Sequence, residues 1–189
     1  KDRLNALKCY KKALEIKPFF MPKTLRLILG DQLNLAHSWF DDLDPNVTYL
    51  MLEMRQETDY VIHHIQKVVA FFAAMRNFAD QLQDQGHSVR YYKLDQEDNE
   101  QDLGKMISKL VANGDFQTFE YQLPDEYRLD QQLKTIAESL GIPTRAVGTE
   151  HFLTEREFLA DFFKGKKTYL METFYRQMRK DFDILMDGK

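Results

Sequence analysis

Residues 25–33 read LRLILGDQL, and this stretch decides the fold of the chain. The apolar run predicts a strand that is buried on both faces, as strands of a parallel sheet are. The run stops at Gly30, and Asp31 and Gln32 follow at once. Ligands of open α/β sheets bind beyond the carboxyl ends of the strands, and a glycine there lets the backbone approach a ligand closely. We therefore expect a ligand site at the end of this first strand.

Strand and helix patterns alternate from this stretch to about residue 150. The other predicted strands are VTYLMLEM (47–54), SVRYYKL (88–94), TFEYQL (118–123) and PTRAV (143–147). Amphipathic helix patterns cover about residues 59–85, 98–112 and 125–140. Such alternation implies right-handed crossovers and a sheet that is covered on both faces. The sequence therefore predicts an α/β fold: a five-stranded, doubly wound, Rossmann-like parallel sheet of order 3-2-1-4-5, with helices on both faces.

The two ends of the chain depart from this alternation. Residues 1–22 are interpreted as an N-terminal extension, either a helix similar to the second helix of a tetratricopeptide repeat or a foreign leader. An ordinary amphipathic helix packed on the domain is the alternative. Residues 23–150 form the predicted α/β domain. In residues 151–189, Thr154 and Glu157 match a capping box that predicts a helix through Phe163, and a second helix is predicted over about residues 168–182. We expect more protein to follow this helical end.

The composition excludes several classes of protein. Hydrophobic residues at 43% and aromatic residues at 13% indicate a packed core. No apolar stretch reaches the roughly 20 residues that cross a bilayer, so we expect a cytoplasmic protein with no membrane partner. A single cysteine, Cys9, cannot form an internal disulfide or a thiolate cluster. The net charge of −4 argues against a large nucleic-acid surface on this domain alone.

No standard catalytic or phosphate-binding motif is present. The chain lacks GxGxxG, the phosphate loop GxxxxGK[ST] and the GxSxG elbow. Gly30 has no second glycine nearby, so tight dinucleotide binding at this turn is not expected. His63 and His64 are adjacent, and adjacent helical residues point about 100° apart, so we do not expect them to share a metal ion. We expect neither a catalytic residue nor a metal ligand in this chain.

Charged residues follow the second predicted strand as well as the first. Glu53, Arg55 and Glu57 come directly after its apolar core. The two strands are neighbours in the predicted order, which brings Glu53–Glu57 near Gly30–Leu33. A carboxylate here could accept charge-assisted hydrogen bonds from a ring N–H or from sugar hydroxyls. A solvated loop that caps the next helix explains the same pattern equally well.

Long motifs of this chain resemble one family across residues 23–189. They are LRLILGDQL, LEMRQETDYVIHHIQK, FFAAMRNFADQLQDQGHSVRYYKLDQEDN, LPDEYRL and TEREFLADFFKGKKTYLMETFYRQMRKDFDILMDGK, in this order. Together they are similar to the N-terminal domain of the photolyase-related proteins, the bacterial (6-4) photolyases and cryptochromes that carry an iron–sulfur cluster.

The resemblance implies a function for the whole protein and a smaller role for this chain. The N-terminal domain of the family is an antenna that holds 6,7-dimethyl-8-ribityllumazine, which absorbs near-ultraviolet or blue light and passes the excitation to FAD. FAD, a 4Fe–4S cluster and the DNA-lesion site belong to a helical C-terminal domain. Reduced FAD then donates an electron to the (6-4) lesion. The chain is therefore expected to be a fragment that partners its own C-terminal domain and, through the parent, damaged DNA, and that cannot repair DNA alone.

The resemblance also implies which residues contact the lumazine. At the end of the second strand, Glu57 is the better candidate for a direct contact. The positions are the first-strand motif Gly30, Asp31, Gln32 and Leu33, the second-strand end Glu53, Met54 and Glu57, and the following helix with Tyr60, His64 and Lys67.

Three hypotheses of function follow. The first is the antenna domain of a light-driven DNA repair enzyme or of a blue-light photoreceptor without repair activity. The second is a stand-alone Rossmann-like domain that binds a nucleotide or another small molecule. The third is an interaction module, which would be favoured if residues 1–20 belonged to a longer helical repeat. Lumazine and nucleotide binding separate the first two.

Overall fold

The computed structural model of the chain describes residues 22–59 and 61–186. The N-terminal extension predicted over residues 1–22 therefore lies outside the described residues except for its last position, and so does Tyr60. The elements are β1 (Thr24–Leu27), a 3₁₀ turn (Ser38–Phe40), β2 (Val47–Leu52), α1 (Gln56–Asp59), α2 (Ile65–Asp84), β3 (Ser88–Tyr92), α3 (Leu103–Ala112), β4 (Thr118–Gln122), α4 (Tyr127–Ser139), β5 (Thr144–Val147), α5 (Phe158–Phe163) and α6 (Met171–Asp181).

The five strands form one parallel sheet in the order β3-β2-β1-β4-β5. This confirms the predicted α/β class and strand order. The central strand β1 pairs with β2 through Leu27 opposite Leu50, and with β4 through Leu27 opposite Tyr121. Because all strands run the same way, the carboxyl ends of β1, β2 and β4 lie at one edge of the sheet, which is where ligands of such sheets bind.

Each face of the sheet is covered by an apolar core. Leu25 and Leu27 belong to the core under α3 and α4, whereas Ile28 belongs to the core under α2. The sequence predicted a strand that is buried on both faces. Leu25, Leu27 and Ile28 are buried, whereas Arg26 is a charged and partly exposed residue on the α2 side. Its guanidinium is partly shielded from solvent, donates to Glu120 at 2.8 Å and lies 5.0 Å from the ring centre of Trp39. A charged side chain with an ion-pair partner thus takes the place of an apolar residue in the core under α2.

The long helix begins later than predicted. The sequence pattern suggested a start near Asp59, but the structure has the short α1 there, a turn, and then α2 from Ile65. His64 caps α2 by accepting a hydrogen bond from the Gln66 amide at 3.2 Å. Histidine is not among the preferred N-cap residues, so no residue type at this position indicates a helix start. The predicted end is confirmed: Gly86 follows the helix with φ of 96°.

The described residues divide into two compact units, one that ends at Val147 and one that begins at Gly148. The second unit contains α5 and α6, whose Phe162 and Phe174 rings pack edge to face at 5.3 Å. The predicted capping box is wrong: α5 begins at Phe158 after Glu157, and no side chain caps it. None of the helices in the described part of the chain is long and apolar enough to span a membrane.

Candidate functional site

A cavity of about 180 Å³ lies at the carboxyl ends of β1 and β2, and we call it the ring cavity. Apolar side chains form most of its wall, among them Leu29, Met54, Leu103 and Leu129. Its polar lining consists of the side chains of Asp31, Gln56, Glu57 and Glu126. The site therefore combines a mostly apolar lining with three carboxylates and one carboxamide, as ligand pockets with a few orienting polar groups do.

Gly30 is required by the packing at the bottom of this cavity. A Cβ atom at this position would lie 2.3 Å from Cζ of Phe71 and 2.8 Å from Sδ of Met75. Both distances are far below van der Waals contact, so any side chain here would displace the helix side chains that face it. The absence of a side chain lets the Phe71 ring of α2 lie directly against the backbone that follows β1.

Gln32 holds the turn after β1 and does not line the cavity. Its side chain is buried, accepts a hydrogen bond from the Leu29 amide at 3.0 Å and donates to the carbonyl of Gln122 at 3.2 Å. The turn is thereby tied to the end of β4. Leu33 packs against the core under α2. Of the first-strand motif, the structure thus brings Gly30 and Asp31 to the cavity, and Gln32 and Leu33 support them.

Glu57 is the carboxylate of the ring cavity whose pKa burial raises. It is half-buried, and burial raises the pKa of this carboxyl above its ordinary value. The positive charge of Arg128 opposes this rise, while the negative charges of Glu126 and Asp31 add to it. Arg128 is itself engaged by Glu126, with Nε 2.7 Å from the carboxylate. Glu57 can therefore accept hydrogen bonds when ionised and donate one when protonated, and its raised pKa favours the protonated form more than in an exposed glutamate.

Glu53 is engaged in a network of its own. The side chain is fully buried, and its two oxygens accept hydrogen bonds from Arg76 Nε at 2.6 Å, Arg76 Nη2 at 2.9 Å, Tyr91 Oη at 2.7 Å and the Leu94 amide at 2.9 Å. Burial alone would raise the pKa of Glu53, but the hydrogen bonds from Arg76, Tyr91 and Leu94 hold it below its ordinary value. This carboxylate joins β2, β3 and α2 and lies outside the cavity lining.

A smaller cavity of about 100 Å³ adjoins the first, and we call it the side cavity. Lys67 lines it, with Nζ 3.2 Å from Nδ1 of His63, whereas His64 serves as the cap of α2. The two neighbouring histidines thus have separate roles, and in the part of the chain that the structure describes no group of three or more metal-ligating side chains is present. The side cavity is lined by Glu57, Thr58, His63, Lys67, Val68 and Phe71.

Several lining residues escaped the sequence reasoning. Leu103 is the first residue of α3, Gln56 is the first residue of α1, and Leu129 lies in the first turn of α4. The first turn of a helix that follows a parallel strand lies beside the carboxyl ends of the sheet, so the predicted topology was the signal that could have found them. Phe71 carried no such signal, since it lies in the second turn of a long helix.

Comparison with known proteins gives two results. The family model described as "Deoxyribodipyrimidine photo-lyase-related protein" matches residues 26–189. A protein named "(6-4) photolyase" from Agrobacterium fabrum strain C58 is 31% identical over 166 residues, which cover 87% of this chain and 33% of that protein. The chain thus spans about a third of the length of this relative.

Proposed function

The chain belongs to the deoxyribodipyrimidine photo-lyase-related protein family, and we propose that its α/β unit is the light-harvesting antenna domain of a photolyase or cryptochrome. One observation carries this proposal: a cavity with apolar walls and the two carboxylates Asp31 and Glu57 lies at the carboxyl ends of the first two strands. The bound group would be 6,7-dimethyl-8-ribityllumazine.

The chemistry of the lining fits this group. A lumazine has a flat ring with an N–H donor and carbonyl acceptors at its edge, and a ribityl chain with hydroxyl groups. Leu29, Met54 and Leu103 offer apolar surface to a ring. The carboxylates of Asp31 and Glu57 accept from N–H and O–H groups, and such charge-assisted hydrogen bonds are stronger than neutral ones. The carboxamide of Gln56, which exchanges hydrogen bonds with Gln132, adds a neutral partner.

An antenna has no bond to break, so this chain's residues need only bind and orient. When bound, the lumazine would absorb near-ultraviolet or blue light and pass the excitation onward. The role of the protein is to hold the ring rigidly and to exclude water from it. The tied turn at Gln32 and the Glu53 network supply this rigidity, because each fixes a strand end that borders the cavity.

We further propose that the parent protein is a lyase that repairs (6-4) photoproducts by electron transfer from FAD. The relative that matches this chain carries the name (6-4) photolyase, and it is about three times as long as the matched segment. FAD, the 4Fe–4S cluster and the contact with damaged DNA are assigned to a C-terminal domain of the same protein. A parent that acts as a photoreceptor without repair would use the same antenna.

Fluorescence titration of the purified chain tests the antenna proposal. We expect saturable binding of 6,7-dimethyl-8-ribityllumazine and no tight binding of ADP. The Glu57→Gln variant should bind the lumazine about ten- to a hundredfold more weakly, because a hydrogen bond to a charged group contributes roughly 1.5–3 kcal/mol. Glu97→Gln, which changes an exposed carboxylate away from the cavity, is the matched control and should bind like the wild type. Tight nucleotide binding without lumazine binding would favour the stand-alone nucleotide-binding domain instead.

A further inference from the structure

We propose that the ring cavity and the side cavity are one ligand site, which the side chain of Phe71 divides. The inference rests on the proposed function, since it takes the lumazine as the occupant. The proposal adds a residue that controls entry to the site, and it adds a second compartment that would hold the ribityl chain of the ligand.

The small volumes of the two cavities indicate that they are parts of one divided site. The ring cavity measures about 180 Å³ and the side cavity about 100 Å³, while pockets for small molecules generally hold roughly 300–1,000 Å³. Phe71 and Glu57 line both cavities. Neither cavity alone reaches the usual volume of a ligand pocket. The two volumes together come close to it, and they join only when the Phe71 ring moves aside.

Phe71 is placed so that its ring can move. The residue is half-buried and lies on the edge of the core under α2, where its ring centre is 5.8 Å from that of the fully packed Phe72. The ring tip points at Gly30, which has no side chain to hold it. A change of the side-chain torsions would carry the ring away from Gly30 and leave a flat space against the backbone. The ring of a planar ligand can occupy that space.

The two compartments differ in chemistry, and so do the two parts of the ligand, the lumazine ring and the ribityl chain. The ring cavity is mostly apolar with carboxylates at its side, which suits a ring with an N–H donor. Thr58, His63 and Lys67 line the side cavity, and their hydroxyl, imidazole and ammonium groups suit the hydroxyls of a ribityl chain. The Thr58 hydroxyl donates towards Arg55 O at 3.2 Å and Asp59 Oδ1 at 2.9 Å, so its oxygen would serve the ligand as an acceptor. Glu57 stands at the boundary and can reach either part. The chain of the ligand would therefore extend past the position that Phe71 occupies.

Stopped-flow measurement of lumazine association tests the partition. If the open position of Phe71 is populated at 10% or less, removal of the ring should raise the association rate at least about tenfold. We would compare the wild type with Phe71→Ala and Phe71→Leu, the latter keeping an apolar contact with the core. Val69→Ala, an exposed position of the same helix that lines neither cavity, is the control and should leave the rate unchanged.

A second variant tests whether the side cavity holds the ribityl chain of the lumazine. Thr58→Val keeps the shape of the side chain and removes its hydroxyl. It should weaken binding of the ribityl compound severalfold and leave binding of 6,7-dimethyllumazine, which has no ribityl chain, unchanged.

The outcomes separate the inference from the function on which it rests. Faster association in the Phe71 variants supports the partition. Wild-type binding at a rate that neither Phe71 variant changes would overturn the partition and leave the antenna proposal in place. Absence of lumazine binding in the folded wild type and in all variants would overturn both.

Discussion

Replacing Glu53 by glutamine should destabilise the fold strongly, because it breaks a buried ion pair. Glu53→Gln removes the charge of a fully buried carboxylate whose oxygens accept four hydrogen bonds of 2.6–2.9 Å. The amide of glutamine also places an N–H group where Arg76 and the Leu94 amide donate. Breaking a buried ion pair typically costs about 3–5 kcal/mol, and the half-exposed side chain of Arg76 puts this case near the lower end.

The loss of about 3 kcal/mol should be visible in thermal unfolding. For a chain of this size, 1 kcal/mol corresponds to about 2–4 °C in Tm, so we expect a decrease of roughly 6–12 °C. Tyr91→Phe removes one of the four hydrogen bonds and should cost about 1.5–3 kcal/mol. Urea unfolding, followed by circular dichroism, gives the free energy of unfolding for the wild type and both variants.

The pH dependence gives an independent check on the same network. The pKa of Glu53 is lower in the folded state than its ordinary value of 4.5, so the unfolded chain takes up the proton first as the pH falls. The stabilisation is therefore complete above pH 4.5 and is lost as the pH falls through the folded-state pKa. In Glu53→Gln this contribution should be absent. A variant within about 0.5 kcal/mol of the wild type, with the same acid sensitivity, would refute the reasoning.

Three further predictions concern the cavity and the core. Gly30→Ala should destabilise the chain by about 1–3 kcal/mol through overpacking against Phe71. In urea unfolding, the double variant Gly30→Ala/Phe71→Ala should recover part of this loss, and additive losses of the two variants would show that position 30 does not press on Phe71. Burial lowers the pKa of His87, so the unfolded chain binds the proton first and stability should fall as the pH drops below about 6.5; His87→Phe should flatten this part of a Tm-against-pH curve, and an unchanged slope would count against it. Because burial raises the pKa of Glu57, lumazine affinity should weaken as the pH falls through that raised pKa, and titrations with Glu57→Gln should lack this dependence.

The sheet could be predicted because its signals are local in the sequence. The apolar residues around Leu27, the charged residues after the second strand and the glycine at position 86 each mark a strand or a helix end by themselves. Gly30 and Asp31 were placed at the cavity by the same reasoning, since a parallel strand ends there.

The division of roles among the polar residues could not be predicted. Glu53 and Glu57 have the same side chain four positions apart, and only the fold brings Arg76 from α2 to the first of them. The late start of α2 was missed because a histidine, His64, forms its cap. The contact between Phe71 and Gly30 joins residues far apart in the chain, and no periodic pattern announces it.

A crystal structure of the chain soaked or grown with 6,7-dimethyl-8-ribityllumazine would show whether the ring cavity holds the lumazine. We expect one lumazine per chain in the ring cavity, with its ring beside the Gly30 backbone, its edge hydrogen-bonded to Glu57 and the Phe71 ring displaced. A lumazine bound elsewhere on the chain, with the Phe71 ring still against Gly30, would contradict both the antenna proposal and the partition.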